Sequence, residues 1–318
     1  MPSPVVLAEV VRSGFVEGRH HGSVVALAAD GGVEWSVGDV TSPVLPRSCN
    51  KPVQALAMVR NGLDLPPDLL ALACGSHSGE QLHVDGVRRI LAVAGLGEDA
   101  LQTPLDWPLD EETKLAHAAA GGVKEQVLMN CSGKHAAMLL TCVVNGWDTA
   151  TYLAPDHPLQ RAVVSTFEEL TGEPIEVFAT DGCGAPLLST SLTGLARAFR
   201  TLAVAADGPE ERIADAIRRH PEMVSGTTRD ERDLLVAVPG AIGKMGAEAL
   251  HAVALPDGRA FALKIEDGAD RARRVVMAEV LRRAGFEDDA VHRTGLVELH
   301  GGGRVVGAVR ATLDHRVS

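Results

Sequence analysis

The chain has 318 residues, of which 46% are hydrophobic and 23% charged, and carries a net charge of -12. That length and balance predict a folded chain with a large core and exclude a disordered one. An acidic chain with a pI near 5.4 and no broad cluster of Lys and Arg is a poor nucleic-acid binder, so a small-molecule substrate is expected.

The opening stretch MPSPVVLAEVVRSGF is apolar but broken by Glu9 and Arg12, with no basic region before it. No segment reaches the roughly 18 apolar residues of a membrane span, so a soluble cytoplasmic protein is expected. Cys49, Cys74, Cys131, Cys142 and Cys183 are odd in number and lack CxxC spacing. This fits a reducing compartment and gives no disulfide framework.

Along the chain, VVLAEVVRS, SVVALAAD and GVEWSVGD are short, β-branched and separated by Gly-containing turns, which predicts an antiparallel meander. From Lys51 to about Arg219 the apolar spacing becomes helical. KPVQALAMVRNG, GEQLHVDGVRRILAVAG, DEETKLAHAAAG, SGKHAAMLLTCVVNGW, HPLQRAVVSTFEELTG and APLLSTSLTGLARAFRTLA all place apolar residues at i, i+3 and i+4. After Gly240 strands return. ALHAVALPDGRAFALKIED reads as a hairpin, DRARRVVMAEVLRRAGF as an amphipathic helix and RVVGAVRATL as a last strand.

Strands at both ends with helices between predict an α/β (α+β) fold: one antiparallel sheet built from both termini, packed with helices and carrying a helical insertion. No repeat or Pro-, Gly- and Ser-rich linker divides the chain. Residues 1–318 are therefore expected to form a single composite domain, with sheet segments near 1–46 and 240–318 and a mostly helical region near 47–239.

Polar residues gather beside glycines and small residues in five blocks, RSCNKP, GSHSGE, NCSGKH, TDGCG and GKMGAE. Such backbones approach a ligand closely, although turns use the same residues. In the first block, Ser48 and Lys51 are three residues apart, one helical turn, where a lysine of lowered pKa can take a serine proton. Ser48 is equally suited to start a helix. In GSHSGE the centre of GxSxG is His77, so the nucleophile elbow of α/β-hydrolases is absent. Ser78 is the preferred second hydroxyl, with Ser76 as its alternative, and His77 is expected to be a satisfied polar residue lining the site. Lys244 in GKMG follows the order of a KTG element, with Lys264 as its rival. Cys131 and Lys134 share a face at a helix start, and Cys183 lies in a Gly-rich turn after Asp181 and Gly182. Two thiolates and a nitrogen would suit zinc, though the usual ligand spacing is missing.

Eight blocks in order, VEGRHHGSVVAL, LPRSCNKPVQAL, GSHSGE, NCSGKHAAML, TDGCGAP, HPEMVSGTTRDERDLL, PGAIGKMGAEA and ALKIEDGADRA, resemble the bacterial asparaginase II family, which includes the inducible, thermolabile rhizobial type. The resemblance implies a fold like that of serine β-lactamases and glutaminases. It also implies hydrolysis of the side-chain amide of L-asparagine to aspartate and ammonia by two Ser-Lys tandems. Ser48 and Lys51 match the first tandem, and Ser78 with Lys244 the second. Cys131, Lys134 and Cys183 match the zinc-binding positions. Arg47, His21 and Glu248 lie in matching blocks without an assigned role, and a homodimer is implied. Cys49, Asn50, Met245 and His20 depart from the family pattern. Two other readings carry weight: a β-lactamase-like or other amide hydrolase, and a metal- or amino-acid-binding module without turnover.

Overall fold

The computed structural model describes residues 5–313. Strands are β1 Val5–Arg12, β2 Phe15–Leu27, β3 Val33–Val37, β4 Phe178–Thr180, β5 Pro186–Leu188, β6 Ile242–Gly246, β7 Leu250–Ala254, β8 Ala260–Ile265, β9 Glu298–Gly301 and β10 Arg304–Ala311. Eight form one sheet in the order β6-β7-β8-β2-β1-β10-β9, with β3 also on β2, and every pairing in it is antiparallel. The expected sheet from both chain ends is the one observed.

The meander starts earlier than SVVALAAD suggests, because FVEGRHHG also pairs with β1. Ser13 and Gly14, at φ 48° and 82°, close the hairpin between β1 and β2, the positive-φ pair that a two-residue turn with strand-like twist requires. The Pro-Asp-Gly hairpin joins β7 to β8 as read, with Gly258 at φ 96°.

Contacts divide the chain into two compact units. The first comprises Met1–Cys49, Thr190–Val204 and Asp233–Ser318, and holds the large sheet. Two helices cover that sheet: Leu192–Val204 packs on β2, β7 and β8, and Asp270–Arg283 on β1, β8 and β10. Val24 to Leu27 on β2 are fully buried, as are Ala262 and Leu263 on β8, so the core of this unit lies on the inner strands.

The second unit comprises Asn50–Ser189 and Ala205–Arg232. Its helices include Lys51–Arg60, Pro67–Ala73, Gln81–Val93, Glu111–Ala119, Ser132–Asn145, Pro158–Thr171 and Gly208–Arg219, and β4 and β5 form a separate small hairpin. Caps match the sequence signals. Pro158 opens its helix, whose cap His157 accepts a bond from the Leu159 N-H, and Asp110 caps the helix at Glu111 through the Thr113 N-H. Gly146 and Gly172 end the helices before them at φ 66° and 70°. The segment APLLSTSLTGLARAFRTLA was expected to be helical throughout. Its first part instead forms β5, paired with β4, and the helix begins at Leu192. Among the described residues no helix is long and apolar enough to cross a membrane.

Candidate active site

Within the first unit, chemistry collects where β6 meets the turn before Lys51. Pro46 enters a short 3-10 helix, Arg47–Asn50, closed by the Cys49 N-H donating to the Pro46 carbonyl at 3.0 Å. Arg47 has φ 51°, a left-handed conformation that side chains other than glycine rarely adopt, immediately before Ser48. The Cys49 thiol donates to the Lys244 carbonyl at 2.9 Å and ties this turn to β6. Two residues on, a side-chain carbon at Gly246 would lie 2.6 Å from the Pro46 oxygen, so this close approach requires glycine. Lys244 itself is fully buried. Glu248, just past β6, brings its carboxylate to 3.9 Å from the Arg47 guanidinium.

Lys264, the rival of Lys244, is engaged by the backbone. Its Nζ donates to the carbonyl oxygens of Glu248 at 2.6 Å and Ile265 at 2.5 Å. Burial lowers its pKa, against the neighbouring carboxylates of Glu248, Asp267 and Glu266.

In the second unit, Lys51 opens the helix Lys51–Arg60 and is 1% exposed. Its Nζ donates to the Gly75 carbonyl at 2.5 Å and lies 2.8 Å from Ser76 Oγ. Of the two hydroxyls in GSHSGE, Ser76 is thus the one Lys51 reaches. Ser78, the hydroxyl preferred from the sequence, donates instead to the Ser225 carbonyl at 2.9 Å.

His77 lies between these serines and is fully buried. Ser132 Oγ donates to the Val127 carbonyl at 2.7 Å, which leaves it to accept from His77 Nε2 at 2.8 Å. The Gly79 N-H donates to His77 Nδ1 at 3.2 Å. Both ring nitrogens are therefore used in the neutral form. Burial, then the charges of His83 and Lys51, hold its pKa well below the usual histidine value. His77 thus links GSHSGE to the start of the helix Ser132–Asn145.

That helix also carries Lys134, one turn from Cys131, while the turn between β4 and β5 supplies Asp181, Gly182 and Cys183. Gly184, at φ 87°, sends its N-H back to the Asp181 carbonyl at 2.9 Å and directs Cys183 inward. Lys134 Nζ donates to Cys183 Sγ at 3.2 Å, and all three side chains are nearly inaccessible. The hydrogen bond between the two cysteines raises the Cys131 pKa, as burial does. The same bond lowers that of Cys183, with help from Lys134 and His135 and against burial. Burial opposes charge on Lys134, but the sulfurs of Cys183 and Cys131 raise its pKa. The Cys131 thiol also donates to Asn130 Oδ1 at 3.1 Å, and the Cys183 sulfur accepts from Lys134. Asp181, half-buried, accepts the Gly182 N-H on Oδ1 at 2.9 Å.

The L-asparaginase II family profile matches residues 8–311, nearly the whole chain. The chain belongs to that family. As such it is an asparaginase-type amide hydrolase. No curated protein matches the sequence. Solved structures similar to this L-asparaginase II chain include a beta-lactamase from Mycobacterium bovis, at 12% identity and a TM-score of 0.40, covering 82% of this chain and 94% of that one. EstCE1, described as a hydrolase with promiscuous acyltransferase activity, shares 14% identity at a TM-score of 0.42, over 79% of this chain and 91% of its own. Mglu in its tris and glutamate form shares 14% identity at 0.39, over 87% of this chain and 63% of its own.

Among the described residues, no group of three or more His, Cys, Asp or Glu side chains could hold a metal ion. A set of two cysteines and a lysine is a different case. Cys131, Lys134 and Cys183 converge, and two sulfurs with an amine nitrogen match the borderline softness of zinc. The donors present fit the metal, provided Lys134 and Cys131 give up their protons.

Sequence reasoning missed Cys49 as the link to β6, Ser132 as the partner of His77, and the pair His135 and Tyr152, whose Nδ1 and OH are 2.7 Å apart. NCSGKH contained Ser132 and His135, but spacing does not reveal which side chain anchors which loop.

Proposed function

We propose that this chain is an L-asparaginase that converts L-asparagine to L-aspartate and ammonia through an acyl-enzyme on Ser48. The observation that supports it most is the buried Lys51 amine 2.8 Å from the Ser76 hydroxyl, in a family member whose Ser48 stands one turn earlier in sequence. A lysine whose contacts are a carbonyl and a hydroxyl, with no carboxylate bonded to it among the described residues, is suited to act as a base.

Lys51 accepts the Ser48 proton as Oγ attacks the amide carbon. Backbone N-H groups stabilise the oxyanion. The C-N bond then breaks, and ammonia leaves with the proton that Lys51 returns through Ser76, which restores Lys51 as a base, while Lys244 is the second lysine that the family resemblance implies. Water, deprotonated by Lys51, hydrolyses the β-aspartyl ester and returns the Ser48 hydroxyl.

Cys131, Lys134 and Cys183 are the residues that would hold zinc, which when bound would act as a Lewis acid toward a substrate oxygen. The nucleophile in this reading is Ser48 with or without the metal. By resemblance, the proposal includes a homodimer in the cytoplasm.

Ammonia release from L-asparagine and L-glutamine by the purified chain, beside Ser48→Ala, tests the reading. Release from asparagine that disappears in a folded Ser48→Ala is expected. Near-normal release by that variant, or hydrolysis of a penicillin-type reporter in place of either amide, would overturn it.

A further inference from the structure

The turn from β6 to β7 contains Glu248 and Ala249 at φ 59° and 54°. Neither is glycine, and a left-handed backbone is strained for such residues, so the surroundings must hold the turn. Three groups do so. Lys264 Nζ bonds the Glu248 carbonyl and, beside it, the Ile265 carbonyl. The Ile265 N-H donates to the Ala249 carbonyl at 3.2 Å. Gly268, at φ 74°, lies so close that an added side-chain carbon would be 3.3 Å from Glu248 Cα.

The turn ends the strand that carries Lys244. Upstream, β6 is fastened to the Ser48 turn by the Cys49 thiol at the Lys244 carbonyl and by the approach of Gly246 to Pro46. Arg47, the third left-handed residue here, stands on the other side of that seam with Glu248 opposite it. Strained backbone therefore flanks the strand and the nucleophile turn, and Lys264 is the side chain that bonds it.

We propose that Lys264 is a positioning residue: by pinning the Glu248–Ala249 turn it sets the end of β6, and with it the placement of Lys244 beside the Ser48 turn. Lys264 touches no reacting atom. The kinetic part of the proposal rests on the Ser48 reading, and the backbone part does not.

The test uses the full chain with Lys264→Met and Lys264→Arg, read by hydrogen exchange of peptides covering 244–250 and by kcat and KM for L-asparagine. Lys264→Met should speed exchange there about tenfold and lower kcat about tenfold, with KM within about threefold, as expected when alignment and not substrate affinity is lost. Lys264→Arg, which keeps donors for both carbonyls, should restore both readouts. Ala249→Gly added to Lys264→Met should restore much of the protection, since glycine accepts the left-handed turn without strain. Wild-type exchange and kcat in Lys264→Met would overturn the proposal, as would a loss that neither Lys264→Arg nor Ala249→Gly repairs. If Lys264→Met does not fold, Lys264→Gln carries the same readouts, and wild-type behaviour in it overturns the proposal. Wild-type protein that releases no ammonia would remove the asparaginase reading, while exchange still decides the role of Lys264.

Discussion

Lys51 Nζ stands 2.8 Å from Ser76 Oγ, and this pair separates the two hydroxyls of GSHSGE by partner, since Ser78 bonds the Ser225 carbonyl. Ser76→Ala removes the hydroxyl proposed to relay the leaving-group proton. It should lower kcat on the order of 10²-fold while the protein stays folded. Ser78→Ala leaves the Ser225 carbonyl without its donor, so its main effect should be a lower melting temperature. Steady-state kinetics beside thermal melts of the two variants check this. Equal loss of kcat in both would remove the distinction.

Acid should destabilise the protein through its buried histidines. His77, His83, His135 and His251 all have pKa values below 6.5, with burial as the largest cause in each. A depressed folded value means that the unfolded chain binds the extra proton first. Stability is then full above pH 6.5 and falls as pH drops toward the folded values. Each such histidine contributes a slope of about 1.4 kcal/mol per pH unit in that window. Denaturant unfolding from pH 7.5 to 5 should show that decline, and His77→Gln should reduce the slope by about one proton. A flat profile would contradict the buried neutral rings.

Gly246→Ala probes the seam between β6 and the Ser48 turn. The added carbon would sit 2.6 Å from the Pro46 carbonyl oxygen, a backbone atom that can give way only if the turn moves. A destabilisation of about 1–3 kcal/mol is expected, together with a fall in kcat larger than that of a surface glycine such as Gly121→Ala. Gly121 has nothing within 4 Å of an added carbon, so its substitution lacks the close approach while straining a φ of 81° that Gly246 does not share. Equal effects of the two substitutions would mean that the close approach has no part in catalysis.

Zinc content tests the Cys131, Lys134 and Cys183 set directly. Wild-type chain equilibrated with zinc and desalted should hold about one ion, and Cys183→Ser should hold far less, because it removes one of the two sulfur donors of the set. Elemental analysis with a circular dichroism check of folding gives the answer. Undiminished zinc in Cys183→Ser would reject the set.

Much of the fold was legible because its signals are local. Helical spacing from Lys51 onward, the Pro-Asp-Gly hairpin and strands at both chain ends all appear as read. What escaped depends on distant partners. Leu187 and Leu188 sit in a helical-looking run but pair with β4, and FVEGRHHG is polar in places yet extends β2 along β1. The site divides in the same way. Lys51, Lys134 and Cys183 stand out in the sequence because lysine and cysteine lie among glycines, and the structure buries all three. Ser76 could not be separated from Ser78, since two residues of one loop differ only in which way each hydroxyl points. Lys264 stands in the sequence as the rival of Lys244, and spacing does not reveal that its amine bonds two backbone carbonyls.

The central claim is that Ser48 becomes acylated. The most direct measurement is acid quenching of the protein during turnover of L-asparagine, followed by peptide mass mapping. The account predicts a β-aspartyl ester on the peptide containing Ser48, absent in Ser48→Ala. An ester on Ser76 instead, or turnover with no acylated peptide at any quench time, would contradict it.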